Sequence, residues 1–338
     1  MFDYLLSFAS DYWQDVNQLF SNSQQRLFWG YWCCALVVAI GWILKTNKIS
    51  TQAHQPSFGI KTKQIVSRLN LKHFITPSAK ADYKLIIINK ALFLFVSPYL
   101  ITKLAIATAL FESFHLLSTP LAPYTANIPT GLIIGVFTVW VFIIDDLARF
   151  YCHKLMHDIP WLWQFHKTHH SATSLTPLTV LRTHPVEGII FAIRSALVQG
   201  FSLAVFFFCF GDRLDLYTVL NLNILVFLFN IAGANLRHSH ISIGYWKWLE
   251  KLIISPAQHQ IHHSTKVSHF NKNYGAMLAI WDHWAGTLHL SNKNQKLSFG
   301  LTEAQASSEH QLSSLYFSPF INIYRSLKKV AKNAVLSR

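Results

Sequence analysis

Long apolar runs separated by polar segments dominate the chain. Four runs approach the roughly 20 residues that an α-helix needs to cross a bilayer, and they cover 26–44, 128–144, 188–210 and 214–235. A fifth apolar stretch, 85–118, holds Lys90, Lys103 and Glu112 and is broken by Pro98. We interpret it as one kinked or tilted span, with a helical hairpin or a partly interfacial segment as alternatives. The pattern predicts an all-α integral membrane protein with four to five transmembrane helices and a helical cap.

Charge is sparse and unevenly placed. Charged residues make up 13% of the chain against 51% apolar residues, whereas a soluble domain carries about 25% charged residues. Segment 45–84 contains eight Lys or Arg residues and a single acid, Asp82. The positive-inside rule therefore places this segment in the cytoplasm. With five spans, the residues after the third and fifth spans and the basic tail are also cytoplasmic. The net charge of +14 is explained by topology, and we expect no nucleic-acid partner.

Histidines carry the clearest chemical signal. The motif H-x-x-H-H occurs in "QFHKTHHSA" (164–172) and again in "SPAQHQIHHS" (255–264), and "HKLMHD" (153–158) has a His pair at i, i+4. Chance predicts about 0.05 such triplets in a chain of this composition. Positions i, i+3 and i+4 share one helix face, so each motif directs its imidazoles to one point. These histidines are His153, His157, His166, His169, His170, His259, His262 and His263.

Further polar residues lie next to these motifs. His238 and His240 are two positions apart, so a continuous helix turns them about 200° from each other; either the helix unwinds and both face the site, or only one does. His184 precedes a proline and is expected in an extended turn, as a site residue or as an interfacial structural histidine. Asp146 lies about two turns before His153. It either orients a ligating imidazole or faces water at the helix end.

Eight to ten imidazoles exceed the coordination sphere of one metal ion. Catalytic zinc takes three protein ligands and structural zinc takes four, so the set fits two ions with four or five nitrogens each. Imidazole suits Zn, Cu, Fe and Ni, and ligand type alone leaves the metal open. The four cysteines form no C-x-x-C pair, which argues against a zinc ribbon or a disulfide framework.

The histidine pattern resembles the fatty acid hydroxylase superfamily, also called the sterol desaturase family, over about 130–290. The segments "DDLARFYCHKLMH", "RTHPVE", "SPAQHQIHHS" and "NYGAMLAIWDHWAGT" carry the resemblance together. It implies a non-haem di-iron centre of two Fe ions that activates O2 to hydroxylate or desaturate a lipid. The lipid classes are sterols, fatty acyl chains, sphingoid bases and alkylglycerols, whose ether is cleaved through hydroxylation. The implied ligands are His153, His157, His166, His169, His170, His238, His259, His262 and His263.

The chain departs from the family pattern at His240, where many relatives carry Asn. This departure leaves open whether the site has nine or ten histidine ligands. We expect an N-terminal anchor and basic loop over 1–84, a catalytic membrane domain over 85–290 and a polar, basic tail over 291–338. The metal site is expected on the cytoplasmic face of a bacterial inner membrane or the endoplasmic reticulum. With no haem or ferredoxin-like segment recognised, a separate cytochrome b5-like or ferredoxin-like protein is expected to supply electrons.

Two other functions compete with this interpretation. A membrane zinc-dependent hydrolase needs a water-activating carboxylate, and no H-E-x-x-H motif occurs in the chain. A non-enzymatic metal-binding protein, such as a transporter, places its site near the bilayer midplane, whereas these clusters follow the predicted span ends.

Overall fold

The computed structural model describes residues 2–50, 58–219, 222–292, 295–302 and 310–336. Within these ranges the fold is helical, as predicted. The α-helices are α1 Phe2–Ser21, α2 Trp29–Ser50, α3 Phe58–Leu69, α4 Pro77–Val96, α5 Lys103–Leu117, α6 Thr130–Asp158, α7 Pro160–His170, α8 Pro185–Phe210, α9 Ile224–Ile231, α10 Pro256–His262, α11 Ile280–Trp284 and α12 Leu312–Leu336. Short 3-10 helices cover Leu71–Ile75, Ser97–Tyr99, Pro177–Leu181, Ala234–His238, Leu249–Lys251 and Val267–His269. Strands β1 (Thr218–Val219) and β2 (Leu222–Asn223) form one antiparallel pair.

Four segments of the described chain are long and apolar enough to cross a membrane: Trp29–Thr46, Pro77–Leu117, Thr130–Asp158 and Pro185–Phe210. A helix rises 1.5 Å per residue, so the shortest of these, with 18 residues, is about 27 Å long. The protein is therefore an integral membrane protein with four candidate spans.

The second candidate span consists of two helices in line. A 3-10 turn at Ser97–Tyr99 separates α4 from α5, and Pro98 lies inside it. The Phe93 ring packs against Gly188, Ile106 packs against Gly200, and the rings of Phe114 and Phe208 lie 5.7 Å apart. Both helices therefore advance along α8 in the same direction. This arrangement is the kinked single span and not the hairpin.

The predicted span over 214–235 is wrong. The chain there pairs β1 with β2 and then forms α9, which has only eight residues. Asn223 explains the interruption, because its side-chain oxygen accepts from the Leu225 backbone N–H at 2.9 Å and caps the helix start. The same side chain donates to the Thr138 carbonyl oxygen at 2.9 Å. As the chain returns toward the histidines, it packs on α6. Its irregular backbone is thus buried in protein, where its polar groups can form hydrogen bonds.

Helices α6 and α8 run antiparallel. Trp140 Nε1 donates to Ser202 Oγ at 3.1 Å, and Arg194 Nη1 donates to Asp145 Oδ1 at 2.8 Å one or two turns further on. The carboxyl end of α6 and the amino end of α8 therefore lie together. Helix α7 connects these two ends, so all three helices deliver residues to the same end of the bundle.

Two terminal helices were not predicted. Helix α1 packs on α4, where the rings of Phe8 and Phe95 stack at 4.8 Å. Helix α12 lies within the segment predicted as a tail and packs on α7, with the rings of Phe165 and Phe320 5.3 Å apart. Its Leu315 is buried. The tail therefore forms part of the wall behind α7.

Candidate metal centre

The first motif is delivered by the junction of α6 and α7. Helix α6 ends at Asp158 with His153 and His157 on its last two turns. Pro160 opens α7 at its first position, where proline fits because its missing N–H has no helical partner. The chain reverses within two residues, and α7 carries its histidines back toward those of α6. The rings of His157 and His170 lie 4.8 Å apart.

The second motif lies on α10. Ser255 and Gln258 form a reciprocal capping box at its start, which fixes the helix although it has only seven residues. His259 and His262 lie on the helix and His263 terminates it. His238 is contributed by the 3-10 helix Ala234–His238, whose Leu236 packs against Ala35 and Ala39 of α2.

The structure separates nine histidines into two groups. Within each group one nitrogen per ring lies within 4.8 Å of all the others. The five-histidine group consists of His153, His157, His166, His170 and His262, and the four-histidine group consists of His169, His238, His259 and His263. Each H-x-x-H-H motif thus contributes to both groups. The middle histidine of a motif belongs to one group, and the first and last histidines belong to the other.

The four-histidine group converges on one point. His238 Nε2 lies 3.0 Å from His259 Nε2, 3.2 Å from His169 Nε2 and 3.2 Å from His263 Nε2. Nitrogens that share one ion at about 2.1 Å lie roughly 3 to 3.5 Å from each other in a tetrahedral arrangement. Neutral imidazoles have one proton each, so four Nε2 atoms cannot satisfy one another. A cation among them satisfies all four.

Backbone carbonyl groups orient rings of the five-histidine group through their Nδ1 atoms. Nδ1 of His153 lies 2.7 Å from the Tyr274 carbonyl oxygen, and Nδ1 of His262 lies 2.8 Å from the Lys272 carbonyl oxygen. A carbonyl only accepts, so these Nδ1 atoms carry the ring protons and Nε2 presents its lone pair. The Nε2 atoms of all five rings are buried without a hydrogen-bond partner. Five such lone pairs fit a metal ion.

Burial keeps these rings neutral. It lowers the pKa of His166 to about 3 and that of His169 to about 4. It lowers the pKa of His170 and His262 well below the ordinary value, with neighbouring histidines adding to the effect. Metal binding requires neutral imidazole, so the rings are in the ligating form at neutral pH.

Glu187 contacts a grouped histidine, although the sequence motifs did not single it out. Its Oε1 lies 2.9 Å from Nδ1 of His166, and both side chains are almost wholly buried. This carboxylate behind an imidazole is the outer partner typical of histidine metal ligands. The signal was present in "RTHPVE", where Glu187 lies in the first turn of α8.

Asp146 and His184, the candidate site residues beside the histidine motifs, contact backbone groups in the structure. Asp146 bonds to no imidazole; its carboxylate accepts the backbone N–H groups of Met277 and Leu278, each at 2.9 Å, and the Trp281 indole N–H at 3.0 Å. It neither orients a ligand nor faces water, because the segment 276–281 folds over it. His184 caps α8 by accepting from the Val186 N–H at 3.1 Å. Both residues hold backbone in place.

His240 lies outside both groups. Its Nε2 is 3.0 Å from the Arg68 carbonyl oxygen, and its ring stacks on His73 with centroids 4.2 Å apart. The 3-10 helix ends at His238, and Ser239 is extended. His238 is thus the last residue of that helix, whereas His240 lies beyond the extended Ser239, where the chain has left the centre and the ring contacts Arg68 and His73. The structure therefore does not bring His240, the possible tenth ligand, to either group.

A buried ion pair locks α7 to α4. Arg182 Nη1 donates to Asp82 Oδ1 at 2.8 Å, and neither side chain has exposed surface. Arg182 Nε also donates to the Thr168 carbonyl oxygen at 3.0 Å, and the Arg182 carbonyl faces Nδ1 of His169 at 3.3 Å. The arginine of "RTHPVE" therefore fixes the turn of α7 that carries the first H-x-x-H-H motif.

A cavity of about 220 Å³ opens onto the histidines. His157, His170 and His262 of the five-histidine group line it together with His263 of the four-histidine group. Trp163 and Phe270 supply apolar walls. A small reactant in this space reaches both groups.

Comparison with known proteins agrees with this geometry. Residues 138–287, which include all nine grouped histidines, match the family model for fatty acid hydroxylase. This segment is a fatty acid hydroxylase domain. The resemblance predicted from the motifs is thereby confirmed.

The fatty acid hydroxylase domain has relatives with different named activities. The chain is 26% identical to human alkylglycerol monooxygenase over 157 residues, which is 46% of this chain and 31% of the relative. It is 27% identical to Delta(7)-sterol 5(6)-desaturase of Gibberella zeae over 155 residues, 46% of this chain and 42% of the relative. It is 27% identical to an ornithine lipid hydroxylase of Rhizobium tropici over 164 residues, 47% and 44% respectively. The chain thus matches about a third to under half of each relative's length. No solved structure matches it.

Proposed function

We propose that the chain is a membrane-bound oxidoreductase that hydroxylates or desaturates a lipid with O2 at a centre of two iron ions. The observation that carries the proposal is the division of nine buried imidazoles into two groups within one fatty acid hydroxylase domain. The named activities of the relatives support an oxidation of a lipid. Either reaction consumes one O2, two electrons and two protons; hydroxylation releases one water and desaturation releases two.

The residues of the centre divide the work. The five-histidine group would hold one iron and the four-histidine group the other, and when bound they supply the redox chemistry that side chains lack. Glu187 and the backbone carbonyls of Tyr274 and Lys272 keep the rings oriented. Trp163 and Phe270 exclude water from one side of the cavity, which protects a reaction at an unactivated carbon.

Electrons come from a separate cytochrome b5-like or ferredoxin-like protein in this proposal. We place the centre on the cytoplasmic face of the membrane. The basic segment 45–84 supports that placement, since Arg68 contacts His240 and His73 contacts Ser174, three residues beyond Ser171 at the end of α7. The basic segment and the histidines therefore lie at the same end of the bundle. Labelling of Lys266→Cys from outside intact cells would contradict this orientation.

Elemental analysis and lipid mass spectrometry test the proposal. Purified protein expressed with iron supplied is expected to hold about two iron atoms per chain. Lipid extracts of expressing cells are expected to show a species heavier by one oxygen or lighter by two hydrogens, formed with consumption of O2. Retention of a single zinc ion with full activity and no O2 uptake would support a hydrolase instead.

A further inference from the structure

A second cavity, of about 350 Å³, lies between α6, α8 and α9, and no grouped histidine lines it. Its wall on α6 follows one helix face through Phe137, Val141, Asp145 and Arg149, which are spaced four residues apart. His153 occupies the next turn of that face. The wall extends about 18 Å along the helix and changes from apolar to charged toward the metal centre.

The opposite wall shows the same gradient. Val226 and Phe229 of α9 line its apolar part. Arg237 lines the part nearer the histidines and belongs to the 3-10 helix that ends at His238. The Arg237 guanidinium lies 5.1 Å from the centre of the Phe229 ring. Two elements from distant parts of the chain thus place apolar side chains in the interior of the bundle and cationic ones at its histidine end.

The charges of this cavity do not balance. Its described lining has four cationic side chains, Arg26, Lys103, Arg149 and Arg237, and one carboxylate, Asp145. That carboxylate is already bonded to Arg149 Nε at 2.7 Å and to Arg194 Nη1 at 2.8 Å. Lys103 and Arg149 are exposed, and the buried Arg237 has the Asp146 carboxylate close by, whereas Arg26 is half-buried and has no acid paired with it among the described residues. Positive charge held away from water without a counter-ion is costly, and here that cost falls chiefly on Arg26. The imbalance therefore favours an anion in the cavity.

Arg26 is the clearest donor for that anion. Its Nη2 donates to the Ala234 carbonyl oxygen at 3.1 Å, but its buried Nε has no hydrogen-bond partner. Burial lowers the pKa of its guanidinium well below the ordinary value, and the charges of Arg237 and Arg149 lower it further. The three guanidinium groups are thus close enough to repel one another, and an anion among them relieves that repulsion.

We infer that this cavity binds the anionic head of an amphipathic lipid, a phosphate or carboxylate, at Arg26, Arg149 and Arg237, with its hydrocarbon chain along Phe137, Val141 and Val226. Guanidinium groups match the geometry of both anions through paired hydrogen bonds. The gradient orients the chain toward the membrane interior and the head toward the histidine end. A neutral lipid leaves the arginine cluster without a counter-ion.

A binding comparison tests this inference without turnover. Full-length protein in neutral detergent is titrated with oleoyl lysophosphatidate and with monooleoylglycerol, which share a chain and differ in the phosphate. We expect the phosphate-bearing lipid to bind at least about tenfold more tightly, the size expected for hydrogen bonds to a charged group. Equal affinity for the two lipids would overturn the inference.

Variants locate the site. Arg26→Gln and Arg149→Gln are each expected to weaken lysophosphatidate binding about tenfold, and Arg26→Lys is expected to retain most of it because the charge remains. Lys251→Gln removes an exposed cation outside the cavity and is the matched control. Unchanged binding in both arginine variants, with the same elution profile and iron content as the wild type, would place the anion elsewhere. Inorganic phosphate binding as tightly as the lipid would overturn the lipid assignment in favour of a free-anion site.

Discussion

The five-histidine group and the four-histidine group consist of the same side chain, yet the protein holds them differently. Nδ1 atoms of His153, His166 and His262 in the five-histidine group meet acceptors at 2.7 to 2.9 Å, one of them the Glu187 carboxylate. In the four-histidine group, His169 meets a carbonyl oxygen at 3.3 Å. There the buried Nδ1 atoms of His259 and His263 have no hydrogen-bond partner.

This difference bears on how each ion is held. Outer hydrogen bonds fix the orientation of a ligating imidazole and raise its basicity, and the five-histidine group has more of them. The rings of the four-histidine group rely on packing, with Nε2 atoms 3.0 to 3.2 Å apart around His238. We therefore expect the five-histidine group to bind its ion more tightly.

Removing one ligand from each group should have the largest effect. His170→Ala and His263→Ala are each expected to lower activity at least about a hundredfold and bound iron from two atoms per chain toward one, because each vacates one coordination position of a different ion. Elemental analysis and product formation measure both effects. His115→Ala, which removes an exposed histidine of α5, is the control and should change neither. Full iron content in both site variants would show that the groups do not hold the metals.

The convergence of the histidines within each motif was largely predictable from sequence, although their ligand role stays a prediction. The i, i+3, i+4 spacing places each triplet on one helix face whatever the tertiary structure. The division into two groups was not predictable, because it depends on how α7 meets α6 and α10. Glu187 lies 21 residues from His166, and only the packing of α8 on α7 brings them together.

The wrong span over 214–235 and the open question at His240 have a common cause. Hydropathy sums apolar residues over a window and does not register what one polar side chain does, so 214–235 was predicted as a span although Asn223 caps a short helix there. Whether His240 is a ligand stayed open in the sequence, because the spacing does not show where the helix ends. In both cases the deciding feature is a local backbone conformation, set by tertiary contacts with Thr138 and Arg68.

Glu187→Gln should sharpen the comparison by acting on one group alone. The amide keeps the size of the side chain but removes the acid group whose oxygen lies 2.9 Å from Nδ1 of His166, so we expect iron affinity of the five-histidine group to fall about tenfold to a hundredfold. The four-histidine group should keep its ion. Iron retention at graded chelator concentrations measures this. Glu112→Gln makes the same change at an exposed position of α5 and should have no effect. An equal loss from both groups would mean that Glu187 supports the fold as a whole.

Chelation of the unmodified protein should remove the two ions in separate phases. The four-histidine group is expected to lose its ion first, at a chelator concentration several-fold lower, because fewer outer hydrogen bonds hold its rings. The variants described above assign the phases: His263→Ala should lack the early phase and His170→Ala the late one. A single phase, or the reverse assignment, would show that outer hydrogen bonds do not rank the two groups.

The smallest effect is expected at His240, the histidine that the fold turns away from the four-histidine group. His240→Asn removes a bond to the Arg68 carbonyl and a stack on His73, which together stabilise the fold by about 1 kcal/mol. It should therefore keep both irons and lose at most part of the activity.

His238→Ala, two residues earlier, should lose the ion of the four-histidine group, because His238 Nε2 is the atom on which the other three rings converge. Iron content of the two variants, measured side by side, decides the matter. Equal iron loss in both would show that the 3-10 helix unwinds past Ser239 when metal binds and that the four-histidine group gains a fifth ligand, which would remove the difference in ligand number between the two groups.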